Sequence, residues 1–239
     1  MDLHAENCMI CGKPLVYFEA ARPARCHLCG AENATITMCE AGHYVCDACH
    51  AHEGIAYIKH YVLHSDSTSP VHMATEMMHH PSIHMHGPEH HVLVALALLA
   101  AFKNAGGHID LAAAVDIAAE RGSAVPGGIC GMWGSCGAGI GVGIFVSVLT
   151  GATPLSEKEW SLANMATSRS LAILARLGGP RCCKRNTYAA LTYAVLFAEE
   201  NFGVQMDLVK RIQCNFSHRN AQCRQKNCYF FPGNLSKAL

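Results

Sequence analysis

The sequence predicts a mainly α-helical protein preceded by a small cysteine-rich module. Three observations carry this: seven of the fourteen cysteines lie before residue 53, that stretch lacks helical periodicity, and from Pro88 onward apolar and alanine-rich runs alternate with glycine stops. A chain of 239 residues has room for one helical domain plus an appendage. The expected division is a metal-binding module over 1–52 and a connector rich in His, Met, Ser and Pro over 53–83. An all-α domain with a cysteine-bearing tail follows over 84–239.

The module comes first. Cys8 and Cys11, then Cys26 and Cys29, form two C-x2-C pairs separated by fourteen residues, the donor count of a tetrahedral four-thiolate zinc site. Gly12 and Gly30 follow the second cysteine of each pair, where a knuckle turn favours positive φ. Cys39, His43, Cys46, Cys49 and His50 then offer ligands for a second zinc, with His43 or His50 as the fourth. An interleaved cross-brace uses the same atoms in another order, and spacing does not separate the two arrangements. The module is thus of zinc-knuckle or zinc-ribbon type with two zinc ions. Iron in a rubredoxin-like site is the alternative that would make it a one-electron carrier.

After the irregular connector, Pro88 suits a first helical position, and the run of Leu, Ala and Val to Phe102 ends at Gly106 and Gly107. Asp110 to Arg121 repeats the pattern, and a third helix follows Pro126 and Gly128 to about Leu149. Ser156 with Glu159 has capping-box spacing before a helix to Leu177. The next runs from near Cys182 to about Asn201, and a short one spans Met206 to Ile212.

Composition narrows the classes of function. With 51% hydrophobic and 15% charged residues and no net charge, the chain is neither a disordered tail nor a polyanion binder, so nucleic acid is not an expected partner. The apolar run His91–Phe102 is shorter than the roughly 20 residues that cross a bilayer, and Gly137–Gly151 is interrupted by glycines, so no membrane partner is expected. MDLHAENCMICGK lacks the features of an export leader. The expectation is a cytoplasmic protein whose thiols serve metal or redox chemistry.

The helical domain carries its own candidates. His84, His86, His90 and His91 surround Glu89 at a predicted helix start, and His86-x-x-Glu89-His90 matches the H-x-x-E-H pattern of inverted zinc peptidases, with Glu89 as general base. Pro88 between the two histidines argues against a shared helix face. The glycines around Cys130 and Cys136 imply close backbone approach to another helix or a cofactor. Arg181, Lys184 and Arg185 flank Cys182 and Cys183 at a helix start, where dipole and cations favour reactive thiolates. In the tail, Cys214, Cys223 and Cys228 with one of Cys182, Cys183 or Cys130 have the count for a [4Fe–4S] cluster; with His218 they could clamp another zinc.

The stretches CEAGHYVCDACH, HMHGPEHH, GICGMWGSCGAGIGVG and LGGPRCCKRNTY resemble an uncharacterised cysteine-rich domain family of anaerobic prokaryotes, across nearly the whole chain. Its members stand alone or are attached to methyltransferase or radical S-adenosylmethionine proteins, which the resemblance implies as partners. Ser135-Cys136-Gly137-Ala138 is also similar to a G-C-A-x-x-G pattern of small proteins suspected of redox function, departing from it at Ser135 and by the inserted Gly137.

Together these readings lead to a metal-dependent redox or sulfur-handling protein. Cys136, Cys182 and Cys183 would meet His84, His86 and His90 in one pocket, Glu89 or a histidine would move protons, and Arg181 would hold a small anionic or sulfur-containing substrate. A non-catalytic zinc adaptor and a zinc hydrolase using the H-x-x-E-H residues are the rivals.

Overall fold

The structure is a computed structural model and describes residues 8–234, so the segment inspected for an export leader begins outside the described residues. The chain is mainly helical with one small sheet, as the sequence predicts. Strands β1 (Leu15–Arg25) and β2 (Glu32–Cys39) pair antiparallel, Leu15 opposite Cys39 and Arg25 opposite Glu32, with an irregularity between Tyr17 and Arg22. The turn joining them carries Cys26 and Cys29 and closes at Gly30, whose φ of +74° is a conformation only glycine adopts cheaply.

Helix α1 (Asp47–His64) starts directly from the last cysteine pair, with Cys46 at its N-cap. Helix α2 (Pro70–His79) follows, its start capped by the Ser69 hydroxyl, which accepts from the His72 amide. The segment 53–83, expected to be irregular, is therefore largely helical. Ala51, Gly54, Ile58 and Val62 form a buried stripe on α1, and Val71, Met73, Ala74, Met77 and Met78 are buried on α2. Interspersed His, Ser and Glu residues hide this periodicity from a compositional reading.

Helix α3 (Glu89–Asn104) is the central element: every residue from Glu89 to Phe102 is buried. A helix apolar all round must be surrounded, and α3 is packed by α1, α2, α4, α6 and α8. Helix α4 (Leu111–Ser123) is capped by Asp110, whose carboxylate accepts from the Ala113 amide at 3.2 Å.

The expected third helix is broken into a single turn, α5 (Ile129–Met132), and α6 (Gly137–Thr150). Gly134, at φ +66°, interrupts it. The glycines of α6 serve helix packing: a Cβ on Gly141 would lie 2.8 Å from the His91 carbonyl, and one on Gly139 2.7 Å from Leu171.

Helix α7 (Lys158–Leu177) begins after the Ser156 region, but Ser156 is not its cap; its hydroxyl accepts from the Thr153 amide instead. Helix α8 (Cys183–Phe202) carries the cysteine pair at its start, with the Cys182 sulfur accepting from the Arg185 amide. The helix expected at Met206–Ile212 is absent: the chain has no regular structure there and is tied down where the Asp207 amide donates to the Thr68 carbonyl.

The tail folds back over α8 with two 3-10 turns, Ser217–Arg219 and Gln225–Asn227. Phe216 and Phe230 are buried, Phe230 edge-on to Tyr188. Among the described residues no helix is long and apolar enough to cross a membrane.

Candidate metal centres

The N-terminal cysteines form two interleaved four-ligand groups. Cys8, Cys11, Cys39 and His43 make one, and Cys26, Cys29, Cys46 and Cys49 the other, with all ligand atoms of each group within 4.8 Å of one another. Cys11 and Cys39 sulfurs are 3.5 Å apart, Cys29 and Cys46 sulfurs 3.7 Å, and His43 Nδ1 lies 3.2 Å from the Cys11 sulfur. A tetrahedral zinc with bonds of about 2.3 Å separates its sulfurs by about 3.8 Å, so both groups can hold zinc-sized ions.

The grouping is thus the cross-brace, and each C-x2-C pair is completed from the far strand end or the start of α1. His43 is the fourth ligand of its group, and His50 belongs to neither. Amides of Ile10, Ala41 and Cys46 donate to the sulfurs of Cys8, Cys39 and Cys26. Burial opposes ionisation of Cys26, but the amides of Cys46, Cys29 and Leu28 outweigh it and bring the thiol down to about 6.

His50 points instead at the helical domain. It forms a third group with His84 and Glu89, again within 4.8 Å, and its ring centroid is 4.0 Å from that of His84. Glu89 is completely buried, and its Oε1 accepts from the His84 amide at 2.9 Å. Burial works against its charge, yet hydrogen bonding from His84 and the surrounding imidazoles hold it down at about 2.

The H-x-x-E-H reading fails on geometry. His86 and His90 share no metal group among the described residues. Both nitrogens of His90 are engaged: Nδ1 contacts the Gly87 carbonyl at 3.1 Å and Nε2 contacts Lys184 Nζ at 3.1 Å. His86 turns towards the tail, where Nε2 lies 3.4 Å from Asn220 Oδ1. Pro88, directly before α3, leaves His86 outside the helix that carries His90.

Between the hairpin and the helices lies a cavity of about 450 Å³. Its walls bring together Cys130, Cys136, Cys182 and Cys183 with His86, His90 and Arg181, whereas His84 opens onto a neighbouring cavity. Asn186 Nδ2 donates to the Cys136 sulfur at 3.2 Å, and Arg181 reaches the Tyr17 hydroxyl of β1 at 3.1 Å. The expectation of reactive thiolates at Cys182 and Cys183 needs correction. Burial pushes both thiols up, Cys183 to about 12, and outweighs the amide and charge of Arg185 at Cys182 and the Gly87 backbone at Cys183.

A separate narrow cavity is lined by four sulfurs: Cys182 from the start of α8, and Cys214, Cys223 and Cys228 from the tail. Cys182 stands on the wall of both cavities. Arg185 and Arg224 also line the narrow one, together with Phe216 and Phe230. Amides donate to three of the sulfurs, from Arg185 to Cys182, Phe216 to Cys214 and Gln225 to Cys223, and Asn220 Nδ2 adds a second bond to Cys182. Cys130 and Cys183 do not line this cavity, and His218 is exposed away from it. Sequence reasoning missed Asn186 and Asn220, and it read Lys184 as a cation beside the thiols, whereas its Nζ reaches the Ile83 and His84 carbonyls and His90.

A model of a family of unknown function, DUF5714, matches residues 58–231. The chain belongs to this family. The DUF5714 match includes all four cysteines of the narrow cavity, together with His84 and Glu89, and leaves the two N-terminal groups and His50 outside. No curated protein and no solved structure matches the chain.

Proposed function

We propose that this is a cytoplasmic iron–sulfur redox protein in which Cys182, Cys214, Cys223 and Cys228 hold a [4Fe–4S] cluster beside a thiol-lined substrate cavity. The carrying observation is that four cysteines, one from the start of α8 and three from the tail, line one cavity. Among the described residues no three of their sulfurs lie within the 4.8 Å that both N-terminal groups satisfy. A single zinc draws its thiolates to about 3.8 Å of one another, whereas a four-iron cube is wider and holds its ligands further apart.

The surroundings suit a cluster. Four thiolates around it leave a net negative charge, which Arg185 and Arg224 offset, and amide donors to the sulfurs favour the reduced state. When bound, the cluster supplies one-electron transfer. Cys182 places it at the wall of the cavity holding Cys136 and Cys183, where Arg181 is available to a small anionic or sulfur-containing substrate.

The test is anaerobic purification and reconstitution. About four iron and four labile sulfide per chain are expected, with a paramagnetic signal on reduction that Cys214→Ser abolishes and Cys183→Ser leaves intact. Protein carrying zinc alone, or a Cys183→Ser variant as defective as Cys214→Ser, would overturn the reading.

A second reading, an adaptor for a methyltransferase or radical S-adenosylmethionine protein, draws support from Met9, Val16, Tyr17 and Leu28, large apolar side chains exposed on the N-terminal module. Partner binding that survives Cys214→Ser and is lost on Tyr17→Asp would favour it.

A further inference from the structure

We infer that His50, His84 and Glu89 form a third divalent-metal site, assembled across the seam between the N-terminal module and the helical domain. This is independent of the cluster: it shares no ligand with it and opens onto a different cavity.

The first argument is the donor set. Two imidazoles and one carboxylate, each with a ligand atom within 4.8 Å of the others, are the donors that zinc and ferrous sites with open positions use. Oxygen-seeking ions such as magnesium or calcium are not expected with two nitrogen ligands.

The second argument is unmet bonding. His50 Nδ1 and Glu89 Oε2 are buried without a hydrogen-bond partner among the described residues, and His84 Nδ1 has only Glu89 Oε1, at a long 3.5 Å. Polar atoms in such positions are normally satisfied, and leaving a buried carboxylate oxygen bare costs far more than leaving an exposed one. Two orphans and one long, weak contact on three converging side chains are explained together by one cation.

The third argument is positioning. Glu89 is fixed by the His84 amide at 2.9 Å and sits so close to Gly87 that a Cβ there would lie 2.1 Å from Oε2. Gly54 lets α1 approach the loop that carries His84, since a Cβ there would lie 2.7 Å from the Ser82 carbonyl. Lys184 Nζ donates to the His84 carbonyl at 2.7 Å, holding the loop from behind.

His50 and His84 both border a cavity of about 480 Å³, which also takes in His52, Glu53 and Ser82. An ion therefore has a route in from solvent, and three protein ligands leave room on it for water or a small exogenous ligand.

Cobalt(II) titration of the full chain, with the thiolate sites already filled by zinc, tests this. One further cobalt per chain is expected, with weak visible bands, no thiolate charge-transfer band, and a spectrum that azide perturbs. His84→Ala and His50→Ala should each weaken that binding more than about tenfold while the zinc content stays at wild type. Glu89→Gln should do the same if its helical circular dichroism is native; should it misfold, the two histidine variants decide. Wild-type protein that takes up no cobalt beyond the thiolate sites, or histidine variants that bind it as wild type does, would sink the site. Because iron, sulfide and the paramagnetic signal of the cluster are read separately, loss of one reading leaves the other standing.

Discussion

The N-terminal hairpin and helix α3 hold themselves together by opposite means. From Cys8 to Cys46 the buried apolar residues are four cysteines and Ala24, so nearly everything withdrawn from water there is a ligand. Along α3, fourteen successive residues are buried, and eleven of them are not titratable. One region offers little but ion ligands and the other removes apolar surface from water, and ions held by such ligands can order a stretch too small for a core.

The sharpest way to break that comparison is to remove one ligand. Cys26→Ser should release the second ion and cost much of the roughly 10–16 kcal/mol that a structural zinc supplies to such a module. Because the two groups interleave, residues 8–46 should lose hydrogen-exchange protection together, while α3 and α8 keep theirs. Loss of protection confined to 26–49 would mean that the two ions act separately. Collapse of the helices as well would mean that the helical domain leans on the metal.

A cavity in α3 is the converse experiment. Leu96 is wholly buried, and Leu96→Ala should cost about 2–5 kcal/mol of global stability. Zinc content per folded chain should not change. Denaturant melts read beside metal analysis check both halves, and zinc loss at native conditions would sink the idea that the core is independent.

The two regions also differed in how far the sequence could be read. C-x2-C spacing and the glycine after each pair marked the hairpin ligands without any fold. Their partition did not show, because Cys8, Cys11, Cys26 and Cys29 have the same spacing whether they share an ion or each pair reaches forward to Cys39–His43 or Cys46–Cys49. The choice between His43 and His50 stayed open for the same reason: adjacency to Cys49 in sequence says nothing of the turn of α1 that brings His50 to His84.

In the helical domain, α3 and α4 were legible from apolar runs and the Asp110 cap, whereas α1 and α2 were hidden by polar residues between their buried positions. The four-sulfur cavity depended on the tail folding back, which no periodicity reports; Cys182 was one of three candidates for its fourth sulfur until Asn220 and Phe216 were seen beside it. The local argument from dipole and charge at Cys182 and Cys183 omitted burial, a property of the whole fold that works against thiolate there.

The smallest effect concerns the seam between the regions. Burial, reinforced by Arg181 and Lys184, lowers His86 from its usual value to about 4, so the folded protein prefers the imidazole neutral. Between pH 6.5 and 4 the unfolded chain binds the extra proton and the folded chain does not, so this group favours unfolding increasingly as pH falls. At pH 5.5 the expected loss is roughly 1 kcal/mol relative to neutral pH. His86→Asn retains a side chain that can face Asn220 and should flatten the stability profile by about that amount over this range. Denaturant midpoints at pH 7.0 and 5.5 for both proteins, with bound zinc measured at each pH, separate this proton from release of the ions. An unchanged difference between the midpoints would place the acid sensitivity in the hairpin thiolates, on the ion-dependent side of the comparison.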